Sequence, residues 1–159
     1  MLRLAALFVT CMWVGTQVTA LSCIQPDVTN DYGRAAASED EYIVVLGDLM
    51  FAEQQFPDPE DINEPTQNGA EIIGWFNGHS LSPGGFDRRF ERDVTLRFSC
   101  AGPWCGGTAP GTHMAFLKRE GSSYIMTLGP CGGMVYRDPT EVQKSQAISC
   151  MRNKDCRAD

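Results

Sequence analysis

The chain has 159 residues and a formal net charge of −7, with 13 Lys and Arg against 20 Asp and Glu. Because nucleic-acid binding needs clustered Lys and Arg along the phosphate backbone, this acidic balance argues against a nucleic-acid partner. The acids are unevenly placed, with twelve acids and one base between positions 27 and 71. The length is sufficient for one domain with a hydrophobic core.

The first 20 residues have the pattern of a signal peptide. Arg3 supplies a positive charge, residues 4–15 are almost wholly apolar, and Val18 and Ala20 place small residues at positions −3 and −1. We predict cleavage after Ala20, which leaves residues 21–159 as a single domain in the periplasm or outside the cell.

Two alternatives to a cleaved signal stay open. The apolar run is shorter than the roughly 20 residues that a membrane anchor needs, and no later segment approaches that length, so we expect no membrane span in the mature chain. Cys23 lies where a lipid-modified first residue would stand, although Leu21 is one position late for the usual bacterial lipoprotein signal.

Six cysteines remain once the signal peptide, which carries Cys11, is removed. An even number of cysteines in an exported chain indicates three disulfides, whose connectivity the sequence leaves open. Zinc is the alternative, but the spacings lack a C-x-x-C pair, and only His79 and His113 could supply imidazole ligands. We therefore expect no metal and no cofactor. The disulfide candidates are Cys23, Cys100, Cys105, Cys131, Cys150 and Cys156.

The first half of the mature chain predicts a helix and three strands. A helix at 27–38 has Thr29, Asn30 or Asp31 as its cap, and a β-branched strand at 42–51 contains Gly47, which suggests a bulge or bend. A loop at 53–68 follows, with acidic residues at 53–64 whose role the sequence leaves open. Strands at 70–79 and 90–100 come next, the second alternating apolar and polar residues as a half-buried strand does.

The second half predicts a loop at 101–112, a hairpin of strands 113–119 and 124–128, and a helix from Asp138 to about 149. Asp138 is the expected N-cap, Pro139 the first helical residue and Glu141 the partner in a capping box. A polar tail covers 150–159.

This order predicts a mainly β fold: a five-stranded antiparallel barrel of the OB type with two short flanking helices, held by disulfides. A β-sandwich is the alternative, but it usually has seven or more strands.

Several short segments resemble the netrin-like modules, which include the tissue inhibitors of metalloproteinases and their short bacterial relatives. They are Cys23 before a short helix, 42–47 (YIVVLG), 72–78 (IIGWFNG), Cys105-Gly106, 113–119 (HMAFLKR), 121–124 (GSSY) and Cys131. The resemblance covers most of residues 23–149. It implies an OB-type barrel and a binding or inhibitory role without catalysis, toward a protein partner that the sequence does not name.

The resemblance also implies how the cysteines pair. It ties Cys23 to Cys131, with Cys105 as second choice, and leaves Cys100–Cys105 and Cys150–Cys156 as local bridges. The chain departs from the metalloproteinase inhibitors at its start. Their first mature residue is the first cysteine of a Cys-x-Cys and chelates the target's zinc, whereas Leu21 and Ser22 precede Cys23 here. This departure argues against zinc-protease inhibition.

No catalytic motif appears, and we expect no enzyme. The chain lacks G-x-S-x-G, H-E-x-x-H and a phosphate loop, and both histidines are interpreted as structural. Trp104-Cys105-Gly106 is similar to a thioredoxin active-site segment, but the second cysteine of a C-x-x-C is missing.

Three aromatic residues, Trp75, Phe76 and Trp104, are the candidates for an interaction patch, since aromatic side chains often anchor interfaces. The alternative places Trp75 and Phe76 in the core and Trp104 over a disulfide. The sequence thus predicts an exported, non-catalytic binding module; the alternative is a structural or envelope-associated protein, including a lipid-anchored one, with no small ligand.

Overall fold

Strands dominate the computed structural model, which describes residues 22–52, 69–153 and 156. The predicted signal peptide (1–20), the acidic loop (53–64) and part of the predicted tail lie outside the described residues. The elements in chain order are α1 (Val28–Ala37), β1 (Tyr42–Met50), β2 (Glu71–Ser82), β3 (Gly85–Phe98), β4 (Cys100–Ala101), β5 (Trp104–Cys105), β6 (Gly111–Glu120), β7 (Ser123–Leu128), β8 (Val135–Arg137) and α2 (Glu141–Asn153).

The five predicted strands correspond to β1, β2, β3, β6 and β7, and three short strands are additional. The predicted loop at 101–112 contains most of a two-stranded hairpin, β4–β5, which turns at Gly102 in the left-handed region (φ 59°). Strand β8 is only three residues long. Segments of two or three residues carry too little alternation to be recognised by pattern.

Six strands form one sheet in the order β1-β2-β3-β7-β6-β8, and β1 pairs with β6 as well as with β2. The hydrogen-bonded order therefore returns from β6 to β1. The expectation of a wholly antiparallel arrangement is wrong at one place, because β3 and β7 run parallel. A parallel pair needs a long connection, and the chain supplies one through the β4–β5 hairpin and β6.

Gly47 marks a close crossing of strands and not the predicted bulge. The register of β1 is continuous through Gly47 on both sides, against Gly78 of β2 and His113 of β6. A Cβ atom on Gly47 would collide with the backbone of Asn77 and Gly78, and one on Gly78 would collide with that of Leu46 and Gly47. Glycine is required here because the two backbones leave no room for a side chain.

Both helices are capped by residues other than those predicted. Asp27 caps α1, its carboxylate accepting the Asn30 N–H at 2.8 Å, because Asp27 has the extended backbone that an N-cap needs. Thr140 and Gln143 form the capping box of α2, with the Gln143 N–H donating to Thr140 Oγ1 at 3.2 Å and the Thr140 N–H to Gln143 Oε1 at 2.9 Å. Asp138 instead occupies a left-handed conformation (φ 48°) before the helix.

Two hydrophobic cores lie on opposite faces of the sheet. The main core fills the inner face and is built around Phe76, Leu96 and Leu117. The second core lies between the helices and the outer face of β1, β6 and β8. It consists of Val28, Val44, Leu81, Met114, Phe116, Tyr136 and Ala147.

A buried polar pair joins α1 to β8 within the second core. The Tyr136 hydroxyl donates to the Asp31 carboxylate at 2.5 Å, and Arg34 forms an ion pair with the other carboxylate oxygen at 2.5 Å. Burial, together with the neighbouring Asp31, raises the pKa of Tyr136 far above its ordinary value. The phenol therefore stays protonated and remains a donor to Asp31.

Three disulfides are present: Cys23–Cys131, Cys100–Cys105 and Cys150–Cys156. They are the pairs that the resemblance implied. The first joins the segment before α1 to the loop after β7 across 108 positions of sequence, whereas the others close loops of 5 and 6. Within the described part of the chain, neither helix has the length and apolar character needed to cross a membrane.

Candidate interaction surface

The structure separates the three aromatic candidates. Trp75 and Phe76 are consecutive in β2 and therefore point to opposite faces of the sheet. Phe76 is completely buried in the main core, so it is unavailable to a partner, while Trp75 is 42% exposed on the outer face. Trp104 is 41% exposed on the separate β4–β5 hairpin. Of the three candidates, only Trp75 lies on the outer face of the main sheet with its side chain exposed.

Two residues that the sequence analysis did not select lie beside Trp75. Met50 is its direct partner across the antiparallel β1–β2 pair, and Ile73 lies two positions before it on the same face. Side chains in directly opposed positions have Cβ atoms about 5 Å apart. We call Met50, Ile73 and Trp75 the outer patch.

The outer patch is apolar and open to solvent. Met50 is 49% and Ile73 is 55% exposed. Single exposed apolar residues are common on proteins, but adjacent large ones indicate an interaction site. The sequence of β2 could have revealed Ile73 as part of this patch. Side chains alternate between the two faces of a strand, so if Ile72 and Phe76 point into the core, Ile73 and Trp75 point to the outer face.

Carboxylates lie next to the outer patch. Asp93 on β3 is the direct partner of Trp75, and Asp48 on β1 lies two positions before Met50 and accepts a hydrogen bond from Thr112 Oγ1 at 2.8 Å. The surroundings of the patch therefore carry negative charge.

Two cations on the outer face of the sheet, Arg97 and Lys118, are engaged in ion pairs. Arg97 donates to Glu71 at 2.6 Å and, with two nitrogens, to Glu120 at 3.1 and 3.2 Å. Lys118 contacts Glu120 at 3.3 Å and Asp40 at 3.0 Å. Hydrogen bonds from Arg97 and then Lys118 lower the pKa of Glu120, so it stays ionised. The network holds three carboxylates and two cations, a net charge of 2 − 3 = −1.

The two histidines are in contrasting environments. His113 is fully buried, with Nδ1 2.8 Å from the Gly111 carbonyl and Nε2 2.7 Å from Thr108 Oγ1. Because a carbonyl only accepts, Nδ1 carries the proton and Thr108 donates to Nε2. Burial lowers the pKa of His113. His79 is exposed on the outer face of β2. Because the imidazole of His113 is completely buried, it cannot reach a substrate.

Groups of three or more His, Cys, Asp or Glu side chains placed to hold a metal ion do not occur among the described residues. Comparison of the chain with protein-family models, with curated proteins and with solved structures found no match.

Proposed function

We propose that this chain is an exported, non-catalytic binding module of the netrin-like class, and that the outer patch is where it binds a protein. The observation that carries this proposal is the set of three large apolar side chains held side by side on a part of the sheet that neither described helix covers. Aromatic and Met side chains are enriched at the centres of protein interfaces. Strands also hold them in place, so little conformational entropy is lost on binding.

The strand pairings support the netrin-like, OB-type part of the proposal. A five-stranded ring in the order β1-β2-β3-β7-β6-β1 follows from the pairing of β1 with both β2 and β6. The disulfide from Cys23 to Cys131 ties the N-terminal segment to the loop after β7. Three disulfides fit the oxidising environment of an exported protein.

The charge around the patch supports a partner of defined chemistry. Asp48 and Asp93 lie beside the apolar residues. Complementary charge steers association and selects partners. The proposed partner is a protein whose surface has an apolar centre and a basic rim. Zinc-protease inhibition is not part of this proposal, since with the predicted cleavage after Ala20 the residues Leu21 and Ser22 precede Cys23, which then has no free amine to bind zinc.

The test places a photo-crosslinking amino acid at Ile73, in the exported protein of the cells that naturally make it. The matched control places it at Val142, an apolar residue of α2 that is 65% exposed. We expect capture of one basic protein from position 73 only. Its yield should fall with added salt and fall about tenfold in Trp75→Ala, since a central interface aromatic is worth at least about 1.4 kcal/mol.

Several results would overturn this proposal. They are the absence of a crosslink from position 73, equal capture from position 142, capture that Trp75→Ala leaves unchanged, and an acidic captured partner. Crosslinking to a second copy of the same chain would also contradict it, because it would make the patch a self-association surface. Circular dichroism of Trp75→Ala checks that a lost crosslink reflects binding and not unfolding.

A further inference from the structure

We propose that a cavity between α1 and the outer face of β6 and β7 binds a small organic carboxylate with an apolar body. The cavity has a volume of about 430 Å³, within the range of ligand sites. It is separate from the outer patch and implies a small ligand in addition to a protein partner. Its polar side chains are Arg34, Ser38, Tyr42, Ser99, Lys118 and Thr127.

The two charged side chains that line the cavity are cations, and the carboxylates paired with them, Asp31, Asp40 and Glu120, are not part of the lining. Arg34 and Lys118 line the cavity, and among the described residues no Asp or Glu does, in a chain of net charge −7. Asp31 engages one nitrogen of Arg34, and a guanidinium has five N–H donors, so others remain for a second anion. The hydrogen bonds of Lys118 to Asp40 and Glu120 raise its pKa and keep it charged.

The remaining lining suits an apolar body. Phe116, Ile125 and Met134 contribute apolar surface, and Phe116 is almost fully buried. Four hydroxyl groups stand beside the two cations as neutral donors. A carboxylate would be bound by Arg34 and Lys118 while the apolar part of the same molecule contacts Phe116 and Met134.

The wall of the cavity is fixed before any ligand binds. The loop after β7 is held by the Cys23–Cys131 disulfide and by the Phe116 N–H, which donates to the Met134 carbonyl at 3.0 Å. Gly133 lies in the left-handed region (φ 76°), and a Cβ there would stand 2.8 Å from the Thr127 carbonyl oxygen. A preformed pocket lowers the entropic cost of binding.

An adjoining cavity differs from the first in having carboxylates in its lining. It has a volume of about 460 Å³ and shares Arg34 and Gly133 with the first, but Asp27 and Asp31 also line it. Those carboxylates would repel an anion. The cavity on the Lys118 side is therefore the one assigned to a carboxylate.

The experiment is an amide-resolved NMR titration with 3-phenylpropanoate, and with 3-phenylpropanamide as the uncharged control. We expect saturable shifts at Ser38, Thr127 and Gly133 with the acid at millimolar concentrations, and about tenfold weaker binding of the amide. Loss of one hydrogen bond to a charged group has an effect of this size. Lys118→Gln and Arg34→Gln should each weaken binding of the acid about tenfold.

Arg119→Gln is the matched control, since Arg119 follows Lys118, pairs with Glu41 at 3.1 Å and does not line the cavity. Thr127→Phe fills the cavity without removing a cation and should abolish binding. Should Arg34→Gln melt early through loss of its contact with Asp31, Lys118→Gln and Thr127→Phe still decide the matter. Equal binding of acid and amide, equal loss in Arg119→Gln, retained binding in Thr127→Phe, or no saturation would each overturn the proposal.

Discussion

The outer face of the sheet has two halves, one covered by helices and one exposed to solvent. One half, around Val44 and Phe116, is covered by α1 and α2 and forms the second core. The other half carries Met50, Ile73 and Trp75, which remain 42–55% exposed. Among the described residues, the helices cover only the first half. The proposed function assigns the other half to a partner protein, which would bury its apolar side chains.

The largest expected effect concerns the tether of the covered half. In the chain-entropy model, removal of Cys23–Cys131 by a double Ser substitution should cost roughly 5 kcal/mol of unfolding free energy, because the bridge closes a long loop. Removal of Cys150–Cys156 should cost roughly 2 kcal/mol. Chemical denaturation of both double variants measures the difference. Equal losses would mean that the N-terminal tether does not hold α1 on the sheet.

The next effect compares two consecutive residues of β2. Phe76→Ala should lose about 3–5 kcal/mol, because it leaves a cavity in the main core. Trp75→Ala should lose less than about 1 kcal/mol, since its side chain is partly in water and makes fewer contacts. Thermal and urea unfolding measure both. A loss in Trp75→Ala as large as that in Phe76→Ala would show that the outer patch serves stability and would remove the basis for a docking face.

A smaller effect tests the polar pair inside the covered half. Tyr136→Phe leaves an oxygen of buried Asp31 without its donor and should cost about 1–3 kcal/mol. Tyr32→Phe is the control, because its hydroxyl has only a 3.6 Å contact with the Met151 sulfur. We expect the control to cost less than about 0.5 kcal/mol. If both variants lose the same free energy of unfolding, the Tyr136–Asp31 hydrogen bond does not stabilise the packing of α1 against β8.

The smallest effect concerns the pH dependence of stability that comes from buried His113. Burial lowers the pKa of His113 below the ordinary value of about 6.5, so the unfolded chain binds the proton first as pH falls. The contribution of neutral His113 to the free energy of unfolding is complete when the pH is above the pKa that His113 has in the unfolded chain. It is lost as the pH falls toward the lower pKa that His113 has in the folded protein. In His113→Asn, this part of the pH dependence between neutral and mildly acidic pH should disappear. An unchanged pH dependence in His113→Asn would contradict this assignment.

The sequence predicted the elements with long regular patterns better than it predicted their ends. Strand β3 alternates Val94, Leu96 and Phe98 on one side, and this period of two identified the strand. The cap of α1 was missed because Asp27, Asn30 and Asp31 all have capping side chains. The capping residue is the one whose backbone is extended just before the helix, and that residue is Asp27. Asp31 lies within the helix, where its carboxylate accepts a hydrogen bond from Tyr136.

The site was recovered only in part, for a related reason. Trp75 was selected by residue type, and so was Phe76, although one side chain is outside and the other inside. Met50 was not selected because it becomes a neighbour of Trp75 only when β1 pairs with β2, and residues 53–68 separate these strands in the sequence. The cavity beside Arg34 had no local signal at all, since its lining comes from α1, β6 and β7.

By itself, the sequence determined the strand-rich character, the acidic charge, the seven cysteines and the positions of the main strands. These follow from composition and from short-range periodicity. Only the tertiary structure decided which apolar strand faces are covered, that β1 pairs with both β2 and β6, and that Arg34 and Lys118 share a cavity. Each of those facts depends on contacts between distant segments, and those are set by packing and not by local pattern.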